Sequence, residues 1–295
     1  MQPPAWSFSA HRTFRECKRE YFYDKYYMLC RDKYHVLALK KMTSLPLLAG
    51  SIVHGVIAEG LWNRFRYGRA PAEEQMTAVF RERFDTAVRR SAEAADKSLY
   101  SARADDMLEE HYYGDPDTDE KIGETGEKAA AGLSAFCRHK VWLSLMNDIE
   151  ERNVRYLEKE KDFPSFDLEG IKVYAVIDLA LCGKNWFRIF DWKTGKPGSA
   201  DKTQLAVYGL FAAREWGWDP EKVKFTFVYL SPETVKQEES ITSGDIKETQ
   251  KLIKESYAEM LALYNGGSPA AEDFPQSPGA RCGRCRYREL CGKQF

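Results

Sequence analysis

The sequence predicts an α/β fold in which helices flank a core sheet and a large helical segment precedes that sheet. A stretch rich in Ala, Glu, Lys and Arg covers residues 72–151, and β-prone apolar runs follow it. Residues 266–295 are rich in Pro, Gly and Cys. The expected order is therefore helices, a β-meander, a helix, a strand, a helix and a cysteine-rich tail.

The first half of the chain is predicted to be helical. Apolar residues recur at helical spacing between Ser9 and Leu29. A second helix is expected to begin near Leu48 and to contain GSIVHGVIAEGLWNRF. Further on, the segment YYGDPDTDE interrupts the helical pattern, because Gly114 and Pro116 favour a loop.

The second half contains the predicted sheet. The runs VYAVIDLALC and WFRIFDWKT are β-prone, and Gly183, Lys184 and Asn185 between them predict a β-hairpin. KTQLAVYGLFAAREWGW returns to helical periodicity, KVKFTFVYLS predicts a further strand, and a helix is expected over about 244–264. We therefore treat the chain as a single domain of four parts: an N-terminal segment (1–30), a helical insertion (63–155), a core (156–265) and a tail (266–295).

Composition and charge limit the class of protein. A hydrophobic content of 43% and a charged content of 30% are typical of a globular chain. The net charge of −1 gives no overall basic field for nucleic-acid binding, although 44 Lys and Arg residues could form a local groove. The N-terminus lacks a signal-peptide pattern, and no apolar run approaches the roughly 18 residues of a membrane span. The expectation is a cytoplasmic protein without a membrane partner.

Two acids and a lysine on the predicted hairpin form the first candidate site. Asp191 and Lys193 are two residues apart on a strand, so both side chains leave the same face. With a two-residue turn, Asp178 lies opposite Ile189 and diagonal to Asp191. Close carboxylates repel one another unless a cation lies between them, and oxygen ligands suit Mg²⁺ or Mn²⁺. The alternative is a surface hairpin with an Asp–Lys pair, but the apolar surroundings of both acids favour the metal site.

Three cysteines near the C-terminus form the second candidate site. Cys282, Cys285 and Cys291 have the spacing Cys-x2-Cys-x5-Cys, which allows the thiolates to reach one metal centre. A four-coordinate site needs one more ligand, and the spacing does not distinguish zinc from iron–sulfur. The candidates for the fourth ligand are Cys17, Cys30, Cys137 and Cys182.

The segments GSIVHG, VIDLAL, FDWKTGKP and QLAVYGLF occur in the order found in RecB-like nucleases of the PD-(D/E)XK superfamily. The chain resembles the members with an iron–sulfur cluster, such as the AddB nuclease domain, CRISPR-associated RecB-like nucleases and eukaryotic exonuclease V. The resemblance covers both ends and about residues 160–211, but not the helical stretch. It implies a restriction-endonuclease-like core sheet and a metal-dependent deoxyribonuclease.

The resemblance also implies roles for individual residues. His54, Asp178 and Asp191 would bind Mg²⁺ or Mn²⁺, and Lys193 would be the catalytic lysine. Gln204 and Tyr208 match a Gln-x-x-x-Tyr helix that contacts DNA or holds the lysine. Glu160 would be an additional acid, with Glu158 as the competing assignment. A 4Fe–4S cluster would be held by Cys17, Cys282, Cys285 and Cys291, with Cys30 as the next choice after Cys17.

The function implied is a DNA nuclease, with single-stranded ends as the expected substrate and exonuclease action. Aromatic and basic residues around the first cysteine could contact DNA, but packing around the cluster is favoured: Tyr21, Tyr23, Tyr26, Tyr27, Arg12, Arg15, Lys18 and Arg19. The alternative function is a non-catalytic DNA-end-binding or scaffold subunit of a DNA repair, recombination or CRISPR-type complex. The sequence has no GxxxxGK[ST] loop, so any unwinding would come from a helicase partner.

Overall fold

The computed structural model describes residues 3–95, 107–158, 164–195, 201–230 and 233–291. It confirms the α/β class. A five-stranded sheet in the order β2-β5-β6-β7-β8 is covered by helices on both faces, and a smaller sheet in the order β1-β4-β3 lies beside it. The strands are β1 Trp6–Ser7, β2 Val154–Leu157, β3 Ser165–Leu168, β4 Ile171–Tyr174, β5 Leu179–Cys182, β6 Phe187–Lys193, β7 Val223–Tyr229 and β8 Val235–Glu239.

The helices account for most of the first half of the chain, as predicted. Their bounds are α1 Phe8–Glu16, α2 Lys18–Tyr26, α3 Lys33–Lys41, α4 Leu45–Tyr67, α5 Glu73–Ala95, α6 Glu109–Tyr112, α7 Thr118–Arg138, α8 Lys140–Asn147, α9 Lys202–Trp216 and α10 Ser243–Tyr264. The helix expected over 9–29 is divided, because Cys17 has an extended backbone (φ −157°) that ends α1 and begins α2. α9 connects β6 to β7, which run parallel and therefore need a crossover.

The predicted hairpin exists as β5 and β6, but two details differ from the prediction. The run VYAVIDLALC is divided between β4 of the small sheet and β5 of the large sheet. The turn has four residues rather than two, and the indole of Trp186 lies against Gly183. Leu179 therefore pairs with Phe190, and the same register places Asp178 opposite Asp191 instead of Ile189.

Side chains alternate across the large sheet and create two hydrophobic layers. Ala180, Ile189 and Phe225 pack with α1, α2, α9 and α10 on one face. Leu179, Phe190 and other residues of the opposite parity pack with α4, α5, α7 and α8 on the second face. Helices α5, α7 and α8 of the predicted insertion thus join α4, most of which precedes residue 63, in one of the two layers that cover the sheet.

α4 is the one helix, within the part of the chain that the structure describes, long and apolar enough to cross a membrane. Eight of its residues are buried in the core, and its middle carries the polar residue His54. The core helix of a protein that does not cross a membrane can reach the same length and apolar composition as a membrane span.

Gly132 sets the distance between α7 and the end of the sheet. A Cβ atom at this position would overlap the backbone carbonyl oxygen of Leu230. A backbone atom at the end of a buried strand cannot move aside without shifting the strand.

We expect Gly132→Ala to lower the free energy of unfolding by about 1–3 kcal/mol because of this overlap. Gly123→Ala in the same helix is the matched control, because no atom lies within 4 Å of its added Cβ. The control should instead stabilise the helix by about 0.5–1 kcal/mol. Urea denaturation measures both; equal effects of the two substitutions would contradict the close contact.

Candidate functional site

Asp178 and Asp191 face each other where β5 begins and β6 ends. Each has 7% of its surface exposed. The Oδ2 atom of Asp178 accepts a hydrogen bond of 2.7 Å from the backbone N–H of Trp192, which fixes the carboxylate against the neighbouring strand. Two buried carboxylates that face each other form an acidic centre in which water screens the charges poorly.

His54 and Glu158 complete one side of this centre. His54 comes from α4, and its Nδ1 atom lies 3.1 Å from Oδ1 of Asp178. The backbone N–H of Glu158 donates a 2.9 Å hydrogen bond to the carbonyl oxygen of Asp178, which places Glu158 beside the same carboxylate. One ligand atom from each of the three side chains lies within 4.8 Å of the others. These three residues can therefore hold a divalent cation.

A close approach of α4 to the end of β6 makes this arrangement possible. A Cβ atom added to Gly50 would lie 3.1 Å from Oγ1 of Thr194, directly after β6. Gly50 and His54 are four residues apart, so they lie on the same face of α4. Glycine at position 50 therefore brings the imidazole to the carboxylates.

Lys193, Gln204 and Tyr208 surround Asp191 on its other side. The Nζ atom of Lys193 lies 2.9 Å from the Asp191 carboxylate. The Oη atom of Tyr208 and the Nε2 atom of Gln204 each donate to Oδ2 of Asp191 at 3.3 Å. Gln204 also donates to Tyr208 at 2.8 Å, as expected for side chains four residues apart on one helix face.

The burial of these charges changes their protonation. Burial and the charge of Asp178 raise the pKa of Asp191 to about 6, and the same two causes raise the pKa of Glu158 to about 7. Burial is the largest single effect on His54 and opposes its charged form, but the charge and hydrogen bond of Asp178 together with the charges of Glu158 and Asp191 outweigh it and raise the pKa of His54 to about 9. Burial likewise opposes ionisation of Asp178, yet His54 and the hydrogen bond from Trp192 keep the pKa of that carboxyl below its usual range. The carboxylates of Asp178, Asp191 and Glu158 repel one another, and a cation bound among them would relieve this repulsion.

A groove of about 1210 Å³ leads to these residues. Its walls come from α1, α4, the segment between β4 and β5, and α9. The lining includes all six residues predicted for this centre from the sequence, together with Glu158: His54, Asp178, Asp191, Lys193, Gln204 and Tyr208. Glu160, the preferred sequence assignment for the additional acid, lies outside the described residues. The sequence alone did not distinguish Glu158 from Glu160 as the additional acid.

A second cavity brings together the four cysteines predicted for the cluster. Cys17, Cys282, Cys285 and Cys291 all line it, whereas Cys30 is not among its lining residues. None of the seven cysteines forms a disulfide. Tyr21, Tyr23 and Tyr26 are buried in the adjacent core, which agrees with the packing role that the sequence favoured for them.

The fold and the site together define an α/β protein with a buried carboxylate–lysine centre suited to a divalent cation. A family model of the PD-(D/E)XK nuclease superfamily matches residues 5–292, so the chain belongs to this superfamily. A comparison with curated proteins found no match. Among solved structures, the chain is similar to a protein from Eubacterium rectale that carries the provisional description of exonuclease. That similarity has 15% sequence identity and a TM-score of 0.37, and it covers 77% of this chain and 86% of the other.

We expect Asp191→Asn to raise the melting temperature by roughly 2–6 °C in EDTA at pH 8. The reason is that a raised pKa makes the ionised carboxyl less stable in the folded than in the unfolded protein, so its neutral replacement stabilises the fold above that pKa. Mn²⁺ should raise the melting temperature of the unmodified protein but not that of the variant. Glu215→Gln, at an exposed position on α9, is the control and should change neither value. A full Mn²⁺ response in Asp191→Asn would exclude Asp191 as a ligand.

Proposed function

We propose that this chain is a RecB-like, metal-dependent DNA nuclease that hydrolyses phosphodiester bonds, with exonuclease action on single-stranded ends. The observation that carries this proposal is the opposed pair Asp178 and Asp191, with Lys193 bonded to the second acid at the floor of an open groove. A binding protein without catalysis has no need of two buried carboxylates that repel one another.

The donor set fits a hard divalent cation. His54, Glu158 and Asp178 offer one imidazole nitrogen and carboxylate oxygens close to one another, which suit Mg²⁺ or Mn²⁺. Asp191, which lines the same groove, would be a further ligand. When bound, such an ion supplies Lewis-acid stabilisation of the phosphate and makes an attacking water more acidic. Binding also requires neutral His54, so the raised pKa of this residue predicts competition between the cation and a proton.

The residues around Asp191 would bind the phosphate and hold the Asp191 carboxylate in position. The ammonium of Lys193 can bind a phosphate oxygen or stabilise the charge that develops on it. Gln204 and Tyr208 fix the Asp191 carboxylate by hydrogen bonds from α9, and burial raises the pKa of Tyr208 well above its usual value, so Tyr208 remains a donor. We assign Gln204 and Tyr208 a positioning role.

We further propose that the four-cysteine cavity holds a 4Fe–4S cluster. Burial raises the pKa of the Cys285 thiol to about 12, so this sulfur stays protonated unless a metal centre binds the thiolate. The buried Nη1 atom of Arg281, which lines the same cavity, has no hydrogen-bond partner among the described residues. A cluster with anionic sulfur atoms would provide both the missing acceptor and the opposite charge.

Four thiolates could also bind a single zinc ion. The resemblance to nucleases with an iron–sulfur cluster is what favours the 4Fe–4S cluster over zinc.

The nuclease proposal is tested with end-labelled single- and double-stranded DNA, Mg²⁺ or Mn²⁺, and protein purified without oxygen. We expect metal-dependent cleavage that Asp191→Ala abolishes and that Lys193→Ala lowers by about 10²–10³-fold in kcat, because each removes stabilisation of the reacting phosphate. Lys222→Ala, at an exposed position outside the groove, is the control for the lysine. No cleavage by protein with an intact cluster would overturn the proposal and favour the DNA-end-binding or scaffold function.

The cluster proposal is tested by iron content and visible absorbance. We expect Cys17→Ala, like Cys285→Ala, to remove most of the iron and the broad absorbance, because each sulfur lines the cavity. Cys30→Ala and Cys137→Ala should retain both, because neither lines it. Full iron in Cys17→Ala together with loss in Cys30→Ala would reassign the fourth ligand, and stoichiometric zinc in place of iron would overturn the cluster.

A further inference from the structure

One wall of the groove is formed by a row of residues along α4. Every fourth residue of the row lines the groove, and apart from the histidine its members are small or apolar: Gly50, His54, Ala58 and Trp62. Residues four apart lie on one helix face and form a ridge along it. The next position of this row is Arg66, which is exposed in the last turn of α4. The row therefore leads from the carboxylate centre to an arginine at the far end of the helix.

Arg69 adds a second cation at this end of α4. Gly68 ends the helix with a left-handed backbone (φ 67°), and the N–H of Arg69 donates a 3.2 Å hydrogen bond to the carbonyl oxygen of Asn63. The chain therefore turns back towards the last turn of the helix, and Arg69 is exposed there. Within the part of the chain that the structure describes, the side chains of Arg66 and Arg69 have no hydrogen-bond or ion-pair partner.

The acidic residue between the centre and these arginines is already paired. Glu59 lines the groove on α4, and its two carboxylate oxygens accept hydrogen bonds of 2.7 and 2.9 Å from the guanidinium of Arg83 on α5. This ion pair offsets the charge of Glu59. An anionic strand that followed the row could therefore pass Glu59 without meeting an unpaired carboxylate on that side chain.

The position of the arginines suits a phosphate of the same strand that reaches the carboxylates. Guanidinium groups bind phosphate oxygens through paired N–H groups. Arg66 lies about 18 Å from His54 along the helix axis, at about 1.5 Å per residue. A stacked strand advances about 3.4 Å per nucleotide, so this distance corresponds to about five nucleotides, and to fewer on a stretched strand.

We propose that Arg66 and Arg69 form a remote phosphate-binding subsite, which holds the DNA strand several nucleotides away from the bond at the carboxylate centre. The proposal rests on the proposed nuclease function of the groove, and it adds a contact with a part of the substrate that does not react. Cations in the last turn of a helix also stabilise it through the helix dipole. The test therefore needs a measurement that such a structural role would not change.

That measurement is the salt dependence of DNA binding, followed by fluorescence anisotropy in Ca²⁺ with labelled single strands of about three to about twelve nucleotides. For the longest strand, Arg66→Gln/Arg69→Gln should lower the slope of log K against log salt by about 0.7 per arginine, and the affinity by about fivefold per arginine at about 0.1 M salt. The affinity of the unmodified protein should rise steeply once the strand exceeds roughly five nucleotides, because it then reaches both sites. The double variant should lack this step.

The matched control is Arg89→Gln/Arg214→Gln. Both residues are exposed and lie outside the groove lining, and Arg214, like Arg66, lies in the last turn of a helix that ends at a left-handed glycine. The control removes the same charge and a comparable interaction with a helix dipole. It should keep the salt slope and the length step of the unmodified protein, and both double variants should keep the iron content.

The outcomes separate this proposal from the nuclease proposal. An unchanged salt slope in Arg66→Gln/Arg69→Gln would overturn the subsite, even if DNA cleavage supports the nuclease. A lower slope with the length step retained would also overturn it, because the arginines would then bind strands apart from the centre. Loss of both in this variant alone would support the subsite, including when no protein cleaves DNA. Absence of DNA binding by the unmodified protein would overturn it.

Discussion

The opposition of Asp178 and Asp191 in a poorly screened environment is the constraint on which the rest of the site depends. Two like charges that lie opposite one another raise the free energy of the folded chain. Because both carboxylates are buried, water screens their repulsion poorly. The surroundings of the pair partly offset this repulsion. His54 pairs with the first acid, Lys193 pairs with the second, and the N–H of Trp192 binds the first carboxylate. A centre with this residual repulsion is suited to bind a cation.

The repulsion between the two acids also explains what the sheet and the helices on its two faces contribute to the site. The large sheet fixes the register of the two acids, and the helices on its two faces contribute the groups that balance them. α4 approaches through Gly50 and brings the imidazole, while α9 brings the amide and phenol that hold Asp191. The helical segment over 63–155 therefore does more than extend the chain, since it packs beside α4 and completes the layer that holds His54 in place.

The residues around the cysteine cavity join the two ends of the described chain. Arg281 forms ion pairs with Glu16 and Glu20, and Tyr287 donates a hydrogen bond to Asp24, so the tail is attached to the first two helices by side chains as well as by the proposed cluster. α1 lines the groove at its beginning, and Cys17, which lines the cysteine cavity, directly follows its last residue. One short helix thus connects the wall of the groove to the cysteine cavity, and ligation at Cys17 would fix both.

The sequence by itself determined the α/β class and the hairpin, because helical and strand periodicities are local. The candidate site residues, Gln204 and Tyr208 among them, were predicted from motifs that resemble those of RecB-like nucleases, and their roles stay predictions. Tertiary structure decided what depends on distant contacts. One example is the four-residue turn, which sets the register of β5 and β6 and so puts Asp178 opposite Asp191. The position of Glu158 beside Asp178, the meeting of Cys17 with the tail and the apolar walls of the groove arise where segments far apart in the chain come together, and no local pattern encodes such a meeting.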